Sequence, residues 1–270
     1  MKPLNNLFYL AVLMLFTLIS KQSFAQELPF KSGEEFSFFF YYDAPLLGKL
    51  YAGKAFLELD KTEEKINGNS VFHAVGRGNS IGSLDFFYKV RDRFETWFGE
   101  SNIRTYKFMR RTNEGGYIVE DDVLFDYEKG KAISRHAEKD ITEKVQDLVS
   151  AFYFARTLDI SSIPEGGNFP IDFYLDDSIY TSVIFYEGKE IIETRLGKFR
   201  TMKFKPMVVE GEVFANPYPM FLWVTDDKNR IPILIKSDVI FGSVKAELYK
   251  FKNLKYPLDS KIEKKKKKKK

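Results

Sequence analysis

Apolar and polar residues alternate with a period of two over most of this chain, and that spacing predicts strands. In EEFSFFFYYDA, Phe36, Phe38, Phe40 and Tyr42 fall on one face, and Ser37, Phe39 and Tyr41 on the other. LYAGKAFLELD gathers Tyr51, Gly53, Ala55, Leu57 and Leu59, with Pro45 and Gly48 punctuating the connection before it. Asn67-Gly68 is a hairpin signal leading into SVFHAVGRG. Alternation resumes from Arg91 to Phe98, and turns near Asn113–Gly116 and Glu128–Lys131 divide the stretch that follows. Strands are predicted again at 169–175, 178–186, 190–196, 199–209, 219–225, 231–240 and 243–251.

Two segments break the pattern. Ser83 is placed to cap a short helical turn carrying Leu84, Phe87 and Tyr88. In ITEKVQDLVSAFYFARTL, Val145, Leu148, Val149, Phe152 and Ala155 form one apolar stripe, which predicts a helix from about Thr142 to Leu158. Glu143 and Asp147 early and Arg156 late suit the dipole of such a helix. The fold expected is mainly β: about 11–13 antiparallel strands in a barrel or half-barrel, a strongly curved sheet with one main helix packed on it.

The N-terminus reads as an export signal. Lys2 precedes an apolar run from Leu7 to Ile19, and Ser23-Phe24-Ala25 forms a small-x-small cleavage site before Gln26. Residues 1–25 are therefore expected to be cleaved, 26–258 to form one β-rich domain, and 259–270 to be a disordered poly-lysine tail. A periplasmic location follows from the signal. The chain has no cysteine, so the fold uses no disulfide and thiolate zinc sites are excluded. With only His73 and His136, a histidine-rich metal centre is not expected, and no cofactor is predicted.

Charge changes the picture once it is partitioned. Setting aside Lys2, Lys21, Glu263 and the eight lysines at 261 and 264–270, the body carries 32 basic and 37 acidic residues. The overall pI of about 8.8 thus belongs to one end of the chain, and nucleic acid is excluded as a partner. Lys264–Lys270 reads either as a solvated extension or as a contact to an anionic envelope surface.

Candidate chemistry is sparse. The doublets Asp121-Asp122, Asp176-Asp177 and Asp226-Asp227 read as solvated turns, since adjacent strand residues point to opposite faces. Asp92 and Glu95 in KVRDRFETW are the first carboxylates to consider for a hydrolase, against surface ion pairs as the plainer reading. His73 shares a face with Val71 and Val75 and reads as a strand histidine. No nucleophile elbow, phosphate-binding loop or H-E-x-x-H is present, so no catalytic residue is assigned and no enzyme is expected. The strands carry large apolar groups on both faces, whereas a one-sided antiparallel sheet has a polar outer face. Either both faces are covered or one lines an apolar cavity. Phe38, Phe40, Tyr42, Trp97, Phe152 and Trp223 are the candidates to line such a cavity.

LVSAFYFAR (148–156), VRDRFETWF (90–98) and FLWVTDDKNRIPILIKSDVIFGSVKAEL (221–248) resemble the exported bacterial family known as domain of unknown function 3108. That resemblance spans about Gly33 to Leu254 and implies a periplasmic β-rich domain without an assigned activity. The cleavage motif before Gln26 is similar to that of Bacteroidetes exported proteins. The strand with Trp223, its charged turn and the Gly242-started strand also resemble envelope lipoprotein carriers, open barrels lined with aromatics beneath a helical lid. The expectation is a monomeric, non-enzymatic protein that binds an apolar or amphipathic envelope molecule in a concave sheet. Its rivals are an accessory module acting through a surface patch and an envelope-polymer hydrolase.

Overall fold

A computed structural model describes residues 27–44, 46, 48–207, 220–239 and 242–263. The expected signal segment, Lys264–Lys270 and the end of the strand expected at 199–209 lie outside them. Successive hairpins build one sheet, because each strand's alternation matches its neighbour's once the turn fixes register. The elements are β1 (Glu34–Ala44), β2 (Gly48–Ile66), β3 (Asn69–Ser80), α1 (Gly82–Phe87), β4 (Val90–Gly99), β5 (Thr105–Glu114) and β6 (Tyr117–Asp126). They continue with β7 (Lys131–Ile133), β8 (Glu138–Asp140), α2 (Ser150–Thr157), β9 (Asn168–Leu175), β10 (Ser178–Thr194) and β11 (Gly197–Pro206). The last are β12 (Met220–Thr225), β13 (Pro232–Asp238), β14 (Ser243–Lys252) and β15 (Lys261–Ile262).

The strands form a 15-stranded antiparallel sheet in the order 8-7-6-5-4-3-2-1-14-13-12-11-10-9, with β15 beside β11. The count exceeds the expected range because β7, β8 and β15 are two or three residues long, too short to show a period. With β15, and with Ser260 fully buried, the fold runs past the expected domain end at residue 258. Antiparallel order fixes where the turns lie. Those joining β1–β2, β3–β4, β5–β6, β9–β10 and β13–β14 share one end, called here the rim; β2–β3, β4–β5, β6–β7, β10–β11 and β12–β13 turn at the opposite base.

The ladder does not close, but the segment that follows β8 meets the opposite edge at β9. Gln146 adds one parallel bridge to Phe173 of β9: its N–H donates to Asp172 O at 2.9 Å, and its carbonyl accepts from Tyr174 N at 2.8 Å. The β9–β10 turn has positive φ at Asp176 (47°) and Asp177 (55°), the geometry of a two-residue hairpin that follows sheet twist. Its carboxylates do more than solvate the turn. Arg110 donates to Asp176 at 2.6 Å, and Asp177 accepts from Tyr174 Oη at 2.6 Å and from the Ser134 hydroxyl. Tyr174 packs with Phe108, Val123, Phe125, Ala132 and Val145, so one face of β9 completes the core of the first half. Asp121-Asp122 is no turn: both residues lie within β6, where Asp122 binds Arg111 at 2.8 Å while Asp121 faces inward beside Arg110.

The main helix is half the expected length. It starts only at Ser150, because Asp147 is buried and caps it, accepting from Val149 N at 2.7 Å and Ser150 N at 2.9 Å. Val145 and Gln146 are left upstream to serve the seam. Burial pushes the Asp147 carboxyl up, opposed by hydrogen bonds from Thr96, Ser150 and Val149. Val149 and Tyr153 then pack on Phe30, Leu59, Phe72, Ala74 and Phe98.

Arg156 stands in the last turn of the helix, as expected, but its charge is directed to a partner across the fold. It is almost fully buried and forks onto the equally buried Glu34 of β1, at 2.6 and 3.0 Å. Its remaining donors reach the carbonyls of Asn229 (3.0 Å) and Pro29 (3.3 Å). Its guanidinium lies 5.2–5.9 Å from the rings of Phe30, Phe36, Phe152 and Tyr153. Removing one partner strands a buried charge, so Arg156→Met is expected to cost about 3–5 kcal/mol in urea unfolding. The double variant Glu34→Leu/Arg156→Met should recover most of that loss.

The seam predicts an acid limb to stability. The Ser134 and Tyr174 hydroxyls hold the Asp177 carboxyl below its ordinary value of 3.8. A carboxyl lowered on folding contributes stability above the unfolded value and loses it as pH falls through the folded one. Asp177→Asn should therefore lower Tm above about pH 4 and flatten the decline of Tm below it.

Candidate functional site: an apolar cleft between helix and sheet

The inner face of the sheet is filled unevenly. On the side of β2–β5, α2 packs directly on the strands. On the side of β9–β12, space remains, lined by Leu148, Ala151, Phe152 and Ala155 on the helix side, facing Phe173, Ile184, Pro206 and Leu222 on the strands. The helix offers two alanines here, where aromatic residues on its other faces close the gap with the first half. This cleft measures about 610 Å³. Leu175, Tyr180, Met207 and Met220 stand at its rim end, so it opens toward the rim.

Toward the base the cleft narrows into a recess of about 90 Å³ walled by Met202, Phe204, Val224, Phe169 and Pro232. Arg156 and Arg230 are the charged groups on its floor, and both are committed. Arg230 donates to the Arg156 carbonyl at 3.2 Å and to that of Leu158, and Arg156 holds Glu34. Beyond Ile160 and Met202 lies a polar recess of about 510 Å³ at the base, reached by Tyr186, Lys189, Asp226 and Asp227. There Asp226 pairs with Lys189 at 2.9 Å. Asp227 organises the β12–β13 turn, accepting from Thr225 Oγ1 and Asn229 N at 3.0 Å and from Ser260 N at 3.2 Å. Asp226-Asp227 is thus the expected hairpin turn, and one of its carboxylates also ties down the C-terminal segment.

Of the six residues expected to line a cavity, Phe152 lines this cleft. Phe38 packs with Phe36, Ile231 and Leu248 in the core. Phe40 and Tyr42 lie on the inner face near the rim, Phe40 being 38% exposed. Trp97 and Trp223 sit on the outer face: Trp97 stacks on His73 at 4.2 Å beneath Lys107, and Trp223 donates its indole N–H to Glu190. The wall residues from β9–β12 were not singled out in the sequence, although Phe169, Ile171 and Phe173 share a face there at period two.

The outer aromatics answer the question of two-sided apolarity. Phe39 lies under Arg195 at 4.6 Å and Lys54 at 5.3 Å, and Phe221 under Lys203 at 4.6 Å. Long cationic side chains cover these rings while keeping their heads in water.

The carboxylates first considered for hydrolysis diverge. Asp92 faces inward opposite Thr112, whereas Glu95 faces outward, bound to His73 at 2.8 Å and Arg93 at 2.6 Å. Burial and then Glu114 push the Asp92 carboxyl up; burial and then Asp177 do the same to Asp121. Among the described residues, no three His, Asp or Glu side chains are grouped to hold a metal ion.

The architecture is similar to that of the β-barrel-like DUF1849 protein from Brucella abortus. That match has a TM-score of 0.54 at 9% identity and covers 83% of this chain and 98% of that one. A putative exported protein with a YmcC-like fold from Bacteroides fragilis aligns at a TM-score of 0.37 and 10% identity, over 85% of this chain and 100% of that one. A duf1089 family protein from Pseudomonas aeruginosa aligns at 0.36 and 6%, over 66% and 87%. No curated protein matches the sequence. The DUF1849 likeness shows a shared fold. Residues 37–249 match the family described as protein of unknown function (DUF3108), and the chain belongs to that family.

Proposed function

We propose that this protein is a non-enzymatic, exported binder of an apolar or amphipathic molecule of the bacterial envelope, held in the cleft between α2 and β9–β12. The observation that carries the reading is the cleft itself: about 610 Å³ with a nearly continuous apolar wall, inside the roughly 300–1,000 Å³ range of small-molecule sites. Its few polar groups, such as Thr181 and Ser182, lie on the β10 wall. The two arginines of the floor are occupied by the fold. Such a wall favours a flexible hydrocarbon chain over a polar solute, because a buried polar group would find no partner along most of its length. The Leu7–Ile19 run and the Ser23-Phe24-Ala25 motif support export and a periplasmic location.

Ala155 tests the reading, since it faces both the cleft and its deeper recess. In Ala155→Trp the indole should fill the space and weaken binding of a fluorescent fatty acid at least about tenfold, with the fold kept by circular dichroism. Unchanged affinity in a folded variant, or no binding by delipidated wild-type protein, would remove the proposal.

A further inference from the structure

The exposed large apolar side chains are not scattered over the surface. Leu46 and Leu50 lie at the β1–β2 tip, Leu84, Phe86, Phe87 and Tyr88 on and after α1, and Tyr117 and Ile118 at the β5–β6 tip. Phe40, Tyr51, Tyr180 and Val244 lie on the rim half of their strands. Of the exposed large apolar residues described, Leu124, Leu148 and Ile191 are the three outside it. Four of the base turns are instead built from Asn67-Gly68, Glu100-Ser101-Asn102, Glu128-Lys129 and Asp226-Asp227-Lys228, and the fifth is Arg195 with the partly buried Leu196.

Three of these tips join at the rim. Ile81 N–H donates to Ala52 O at 2.9 Å and fixes the start of α1 to β2, while Gly115 N–H donates to Lys89 O at 2.8 Å and brings the β5–β6 tip against Tyr88. α1 buries none of its six residues, so Phe86 (86% exposed) and Phe87 (81%) contribute nothing to the core. Charge next to the aromatics is balanced or cationic at the β1–β2 and α1 tips and acidic at the β5–β6 tip. Arg91 pairs with Asp85, Lys245 with Asp43 and Lys49 with Glu247, with Lys89 alongside; Glu114 is the acid of the β5–β6 tip.

We propose that the rim is a membrane-docking surface, with Phe86, Phe87 and the neighbouring tips entering the headgroup–acyl boundary of a phospholipid bilayer. Apolar and aromatic side chains on separate loops, beside lysines and without a shared groove, suit a fluid interface that needs no shape complementarity. The cleft opens at this same end, so a docked rim would set its mouth against the bilayer. The purpose of docking rests on the cleft reading; the contact itself rests on the rim.

The test is co-sedimentation of the protein lacking residues 1–25 with vesicles of phosphatidylethanolamine and phosphatidylglycerol, with and without Lys264–Lys270. The proposal expects Phe86→Ser/Phe87→Ser to weaken partitioning at least about tenfold in both backgrounds, with Tyr117→Ser/Ile118→Ser weakening it in the same direction. Melting temperature and fatty-acid binding in the cleft should stay at wild-type values. Partitioning untouched by either double variant, or abolished by deletion of the lysines alone, would overturn it. So would a wild-type dimer that the Phe86/Phe87 variant dissociates, with no vesicle binding. Loss of fatty-acid binding in wild-type protein that still partitions would remove the cleft reading and leave the rim standing.

Discussion

The buried fork between Arg156 and Glu34 organises this molecule. It joins the end of α2 to the start of β1, the segment before it through Pro29, and the β12–β13 turn through Asn229. Two charges out of water need most of their hydrogen-bonding capacity met, and here backbone carbonyls and four aromatic rings supply it. A satisfied pair of this kind has one geometry, whereas an apolar helix end could slide along the sheet. The pair therefore holds the helix at the base, and Asp147 caps its other end by gripping Thr96 on β4.

That placement decides where the empty space lies. Tyr153 and Val149 draw the helix onto β2–β4, and the alanines at 151 and 155 face the other way. Aromatic bulk thus closes one side of the interior and small side chains leave the other open. The seam works in the same sense: Tyr174 serves the core of the first half while its neighbour Phe173 walls the cleft. β9 can do both because successive strand residues point to opposite faces. The open ladder and the cleft are two consequences of bending one sheet around a short, off-centre helix.

Much of the architecture was legible in the period-two pattern: the β1–β2–β3 meander, the Asn67-Gly68 turn, and the hairpin at Asp226-Asp227. The site was far less so. Phe152 could be singled out because aromatic residues within an apolar helical stripe must face something. Trp97 and Trp223 misled in the same way, since a large ring reads as buried and nothing local says which face of the sheet is concave. The Arg91-to-Phe98 alternation separates Asp92 from Glu95 by face, but the pattern alone does not say that Asp92 is inside.

The sequence by itself determined the fold class, the turns at Asn67-Gly68 and Asp226-Asp227 and the absence of disulfides, because these depend on local periodicity, turn chemistry or composition; the family was legible in the resemblance of whole segments. Only the tertiary structure decided the length of the helix, the partner of Arg156, the seam at Asp176-Asp177 and the side on which the cleft opens. These depend on contacts between residues far apart in the chain, such as Glu34 with Arg156 and Arg110 with Asp176. A carboxylate in a turn looks the same in sequence whether water or a distant arginine receives it, and sheet curvature makes that choice.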